Sequence, residues 1–248
     1  MFFIVSNFTL AGILLVIGVL TLKKASHSNE LAFASLPLLF GLHQFTQGIV
    51  WLGLYHMVSP RTLHIASMFF IYYAQAVLPF WVPLAIWLLE TTEPRRQLIA
   101  VLLVVGGLLM LYVAWGLVQQ PTQVFINHYS LVYFNPHTQH LWIALIYILT
   151  TCGSLMLSRS VTIQLFGWLN LLGLLLVYWI AQYSFTALWC LYAALVSVIL
   201  YLHFIERRIA FLRKLQQEQS HLGSELEQEL NKLIALFPRL RKFFIHQS

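Results

Sequence analysis

QLIAVLLVVGGLLMLYVAWGLV, residues 97–118, runs for twenty-two residues without a charged side chain. A bilayer core of about 30 Å takes roughly 20 apolar residues of helix to cross, so the stretch reads as a membrane-spanning helix. A barrel strand would show about ten residues of alternating character, and this run does not alternate. Six further runs of comparable length flank it, at about 2–22, 31–56, 63–89, 140–158, 162–182 and 184–205. The segments between them carry loop chemistry: Ser26–Asn29, Ser59-Pro60, Glu93-Pro94, Gln119–Pro121 and Asn135-Pro136, with a short turn near Tyr183. The reading is an all-α integral membrane protein, a seven-helix bundle over 1–205 followed by a helical tail over 206–248.

Composition agrees. Of the 248 residues, 60% are hydrophobic and only 9% charged, and the mean hydropathy is +0.78. A soluble domain carries about 25% charge, so a water-facing globule and a disordered chain are both excluded. Cys152 and Cys190 fall inside apolar runs, which implies no disulfide framework.

Basic residues orient the bundle. Lys23, Lys24, Arg95, Arg96, Arg159, Arg207, Arg208, Arg213 and Lys214 fall on one side of the alternating spans, and Arg61 alone on the other. The positive-inside rule then places the N-terminus outside and the C-terminus in the cytoplasm. The N-terminal run has no basic residues before it, so it reads as a retained first helix and not as a signal peptide. The loop 119–139 would be extracytoplasmic. It is uncharged and rich in aromatic and amide side chains, and it is expected to pack over the helix ends as a lid.

The tail is built differently. Leu215, Leu222, Leu226, Leu230, Leu233 and Leu236 recur at helical spacing and mark an amphipathic helix. Gly223 is expected to interrupt it, with Ser224 and Glu227 forming a capping box that restarts it. Pro238 ends it, and Arg239–Phe244 reads as a basic, aromatic membrane-surface segment. The tail is expected to meet lipid or a protein partner. A basic tail beside a membrane meets anionic lipid, so nucleic acid is not an expected partner.

Polar side chains at membrane depth are costly and face the bundle interior. His43 and Gln47 lie four residues apart on one helix face, with Gln44 beside them. Tyr72 and Gln75 stand mid-span in the third run, Asn170 in the sixth and Cys190 in the seventh. Together they are the candidate lining of a midplane pocket for a lipid or apolar small molecule. The alternative role is interhelical hydrogen bonding, worth about 0.6 kcal/mol per bond. Pro79 and Pro83 are expected to kink the third helix and open space beside it. A second group, His56, His64, His128, His137 and His140, lies toward the outer side and is the weak candidate set for a metal. All eight acids are Glu, and none lies in the middle of an apolar run. That removes the carboxylates of a proton relay. No P-loop, GxSxG, HExxH or CxxC motif is present.

Three segments carry a resemblance: LPLLFGLHQFTQGIVWLGL (36–54), NHYSLVYF (127–134) and WCLYAALVSVILYLHF (189–204). The chain resembles an uncharacterised bacterial family of small polytopic membrane proteins, one of the domain-of-unknown-function groups. In that pattern the position of Gln47 is usually acidic and that of His43 usually an amide, and this chain departs at both. The resemblance implies a seven-helix fold in the bacterial inner membrane and brings no activity. A weaker, topological similarity is to seven-helix hydrolases of the alkaline ceramidase and progestin-receptor type. These hold zinc with intramembrane histidines beside an Asp and a Ser. Here only His43 and His203 lie in spans, and the chain has no Asp. The expected function is a non-enzymatic binding or accessory membrane protein with a pocket and a docking tail. A metal-dependent lipid hydrolase is the first alternative and a small-molecule transporter the second.

Overall fold

The computed structural model describes residues 2–127, 130–181, 188, 191, 192 and 196–236. Cys190, His128, Tyr183 and the segment from Pro238 onward, all singled out in the sequence, lie outside these residues. The chain forms two compact units, Met1–Phe204 and Ile205–Ser248.

The first unit is a bundle of long helices. Helix α1 (Phe2–Lys24) ends on Lys23 and Lys24, cations placed at the negative end of the helix dipole. A 3-10 turn at Ser28–Glu30 and one helical turn at Leu31–Ala34 lead into α2 (Leu36–Leu54), which has Pro37 in its first turn. The buried Glu30 carboxylate accepts the Ser26 N–H at 2.8 Å and holds this connection closed.

Helix α2 ends in a Schellman motif. Met57 N–H reaches back to the Leu52 carbonyl at 2.9 Å, and His56 N–H to Gly53 at 3.0 Å. His56 sits at φ 58°, the left-handed position usually filled by glycine. Helix α3 (Pro60–Leu89) starts where Ser59 caps the Thr62 N–H at 3.1 Å. Its middle widens into a π-turn over Tyr73–Val77, immediately before Pro79. Pro79 has no N–H to give the carbonyl four residues back, so regular α-helical pairing cannot run through this point.

Helix α4 (Glu93–Gln119) packs on α3 with Gly106 against Pro79. A Cβ on Gly106 would collide with the Pro79 carbonyl, the same carbonyl that Pro83 cannot pair. After α4 comes an antiparallel hairpin, β1 (Gln123–Asn127) and β2 (Ser130–Phe134), registered from Gln123 opposite Phe134 to Asn127 opposite Ser130. The sequence reading placed a loop here. Leu131, Val132 and Tyr133 are buried in succession, so β2 is covered on both faces. The hairpin base is held by Asn135 Nδ2 donating to the Gln120 carbonyl at 2.8 Å and Gln139 Nε2 donating to that of Tyr133 at 2.8 Å.

Helix α5 (Leu141–Leu157) contains a second π-turn at Leu149–Gly153, and α6 (Val161–Ala181) follows. Four helices among the described residues are long and apolar enough to cross a membrane: Phe2–Lys24, Pro60–Leu89, Glu93–Gln119 and Val161–Ile180. Only 22% of the residues in the most apolar window of α1, and likewise of α4, are buried, so these helices turn an apolar face outward.

One end of this unit gathers its charges around Glu90. This carboxylate, 5% exposed, accepts the Thr92 N–H and the Arg159 N–H, each at 2.9 Å, and so ties the α3–α4 connection to the α5–α6 connection. Burial alone would raise its pKa. The hydrogen bonds from Thr92 and Arg159 and the nearby Arg95 charge outweigh burial and hold it below the ordinary carboxylate value.

The second unit is helical to Leu236, as the last part of α7 (Val198–Leu236). The helix runs through Gly223 without a break, contrary to the expected interruption. A single glycine costs only about 1 kcal/mol in a helix, too little to end one of this length. Lys232 and Glu229 pair at 2.8 Å on its exposed surface.

Candidate site beneath the hairpin

The hairpin forms one wall of a cavity of about 760 Å³, whose other walls come from α3, α5 and α6. The size falls in the range of small-molecule sites, about 300–1,000 Å³. Its surface is mostly apolar, with Ala74, Leu131, Val132, Ile143 and Leu174 among the lining residues, and among the described residues no Lys, Arg, Asp or Glu takes part. Gln75, in the π-turn of α3, lines it as well, and its Oε1 is buried without a protein hydrogen-bond partner. The lining residues Leu141 and Leu145 are 74% and 58% exposed, so this wall reaches the outer surface of the bundle.

His43 lies apart from this cavity, inside an aromatic column. Its ring stacks on Phe70 at 4.0 Å and 18° and meets Tyr73 at 4.5 Å and 31°. Phe70 in turn stacks on Tyr133 of the hairpin at 4.3 Å and 10°. Both His43 nitrogens and both polar atoms of the Gln44 amide are buried without a protein partner. The column joins α2 and α3 to the hairpin, so the segment expected to act as a lid is packed into the bundle by its own tyrosine.

The remaining candidates go elsewhere. Gln47 faces a different cavity of about 400 Å³ between α1, α2 and β2. Asn170 donates its Nδ2 to the Phe166 carbonyl of its own helix at 2.6 Å and borders a small void of about 30 Å³ with Thr151 and Cys152. Tyr72 is half-buried. Depth along a helix sets the height of a side chain, not the direction it faces, so residues at one level occupy three different spaces.

Three of the outer histidines make local contacts, His64 is exposed, and His128 lies outside the described residues. His56 is the helix cap already described. The His137 N–H donates to Asn135 Oδ1 at 3.0 Å, and its ring meets Trp115 edge-on at 5.2 Å. His140 stacks on Trp142 at 6.2 Å and borders the large cavity. Among the described residues, no three His, Cys, Asp or Glu side chains come together as a metal site.

The hairpin and the Tyr133 contact had no clear signature in the sequence. The signal that was present is the run SLVYF, β-branched and aromatic, after QVFIN.

Residues 5–215 match the model of a family described as "Family of unknown function (DUF6629)". No curated protein and no solved structure matches the chain.

Proposed function

Because the chain belongs to the DUF6629 family, whose function is unknown, we propose a role from the site itself: a multi-pass inner-membrane protein that binds an uncharged lipid or other apolar small molecule beneath its hairpin. The observation that carries this reading is the 760 Å³ cavity with its mostly apolar lining, its lack of charged side chains among the described residues and the unpartnered Gln75 oxygen. A ligand there gains from burial of its apolar body, and one donor on it can satisfy Gln75. The exposed Leu141 and Leu145 offer a lateral way in from the bilayer.

In this reading the seven apolar runs cross the membrane with the N-terminus outside. Support comes from the apolar outer faces of α1 and α4 and from Glu90, which brings Arg95 and the Arg159 backbone to one end of the bundle, the end that basic residues assign to the cytoplasm. The tail helix serves as a docking arm for a partner protein, supported by its leucine repeat and by Leu226, which is 70% exposed.

The test is lipid extraction from the purified full chain. Wild-type protein should retain a neutral lipid or apolar compound near one equivalent. Ala144→Phe, which adds a bulky side chain at an exposed residue of the cavity lining, should lose most of it while staying folded. Equal retention by both proteins would count against the reading.

A further inference from the structure

The cavity that Gln47 faces differs in chemistry from the one beneath the hairpin. It is lined by the start of α1, the later half of α2, Ser130 and Leu131 of β2, and Leu188 and Leu191, and its volume is about 400 Å³. Gln47 is only 6% exposed, and its Oε1 has no protein hydrogen-bond partner. Asn7 donates its Nδ2 to the Phe3 carbonyl at 2.8 Å, which fixes the amide and leaves Oδ1 as an acceptor. Ser6 donates its hydroxyl to the same carbonyl at 3.1 Å and keeps its lone pairs. Ser130 adds a second hydroxyl from the hairpin. Trp51 and Phe3, stacked at 4.8 Å and 11°, supply an aromatic wall.

Ser6 has given its hydroxyl proton to the protein, whereas Asn7 keeps a second Nδ2 proton and Gln47 carries its own NH₂, so the space offers both acceptors and donors. A complementary ligand therefore brings groups that both donate and accept. An anionic headgroup is unsuited, since among the described residues no Lys or Arg lines the space. An ammonium group would donate, but without a carboxylate nothing offsets the cost of removing its charge from water. Neutral hydroxyl groups remain. We propose that the cavity lined by Ser6, Asn7, Gln47, Trp51 and Ser130 is a second binding site, taking an uncharged polyol group such as the sugar or glycerol head of a lipid. This site is distinct from the one at Gln75, with Leu131 of the hairpin bordering both.

The experiment uses the full chain in phosphatidylcholine nanodiscs with a glucosyl-diacylglycerol that carries a photoreactive diazirine on its sugar. After irradiation, the labelled peptides are mapped by mass spectrometry. Label should concentrate on the peptides holding Phe3–Asn7 and Gln47–Trp51. Gln47→Leu should lower it about five- to tenfold, the effect of one lost hydrogen bond. Asn7→Leu, on the opposite wall, should also lower it and serves if Gln47→Leu does not fold. Gln75→Leu should leave it unchanged. Competition by unlabelled glycolipid alone supports a lipid source, and equal competition by free glucose supports the polyol site with a soluble source. Label spread evenly over the chain, label unaffected by either variant, or equal competition by phosphatidylethanolamine would overturn the proposal.

Discussion

The imidazole of His43 lies nearly parallel to the ring of Phe70, centroids 4.0 Å apart, with both of its nitrogens buried and without a protein partner. A ring held this way contributes as a flat packing surface, while its nitrogens are a liability. His43→Phe should keep the stack and remove the unpartnered groups, leaving thermal stability equal or higher by about 1–3 kcal/mol. His43→Ala should cost about 3–5 kcal/mol, as loss of a buried ring does. Unfolding in detergent measures both. A His43→Phe protein clearly weaker than wild type would mean that the nitrogens do work in the folded state.

Gly106 and Gly107 make a matched pair. A Cβ at Gly106 would strike the Pro79 carbonyl, which is backbone and cannot turn aside, whereas one at Gly107 would sit 3.6 Å from Phe80 in ordinary contact. Gly106→Ala should destabilise by about 1–3 kcal/mol. Gly107→Ala should be neutral or mildly stabilising, since it replaces glycine within a helix. Melting curves of the two variants check the contrast.

His56 occupies a left-handed cap at φ 58°. If its role is the turn and not a ligand, His56→Gly should stabilise the protein by about 0.5–1 kcal/mol, because glycine takes this conformation without steric cost. The measurement is the melting temperature with and without added zinc. A loss of stability, or a zinc shift present only in wild type, would contradict the structural role.

Glu90 predicts a pH dependence. Its folded-state pKa is depressed, so the unfolded chain binds the proton more readily. The stabilisation is complete above the unfolded carboxyl value of about 4.3 and is lost as pH falls through the lower folded value. Glu90→Gln should remove that contribution, because its NH₂ would face a backbone N–H. The expected cost is about 1–3 kcal/mol at neutral pH, with a shallower fall in acid than wild type. Stability measured from pH 7 to pH 3 compares the two.

Much of the helical order is legible in the residues. Ser59-Pro60 starts α3 and Lys23-Lys24 closes α1, because caps and terminal charges are local chemistry. The hairpin was not legible. No Asn-Gly or Asp-Gly pair, the usual mark of a tight turn, occurs between Gln123 and Phe134, and β2 is buried on both faces, so its strand shows no alternation. Gly223 misled in the other direction, since a weak helix former does not stop a helix supported on both sides. In the site, the sequence placed polar groups at depth but could not give the rotation of each helix. Gln75, Gln47 and Asn170 therefore face separate spaces. Tyr133, which ties the hairpin to Phe70, was hidden in a segment read as irregular.

The most direct measurement is the position of a bromine-labelled neutral lipid, a brominated diacylglycerol, found by anomalous X-ray scattering from crystals of the full chain. The predicted result is a bromine peak inside the cavity bounded by Gln75, Tyr133 and Leu174, lost in Ala144→Phe. Bromine confined to the outer surfaces of α1 and α4, with none beneath the hairpin, would contradict the assignment of that cavity as a ligand site.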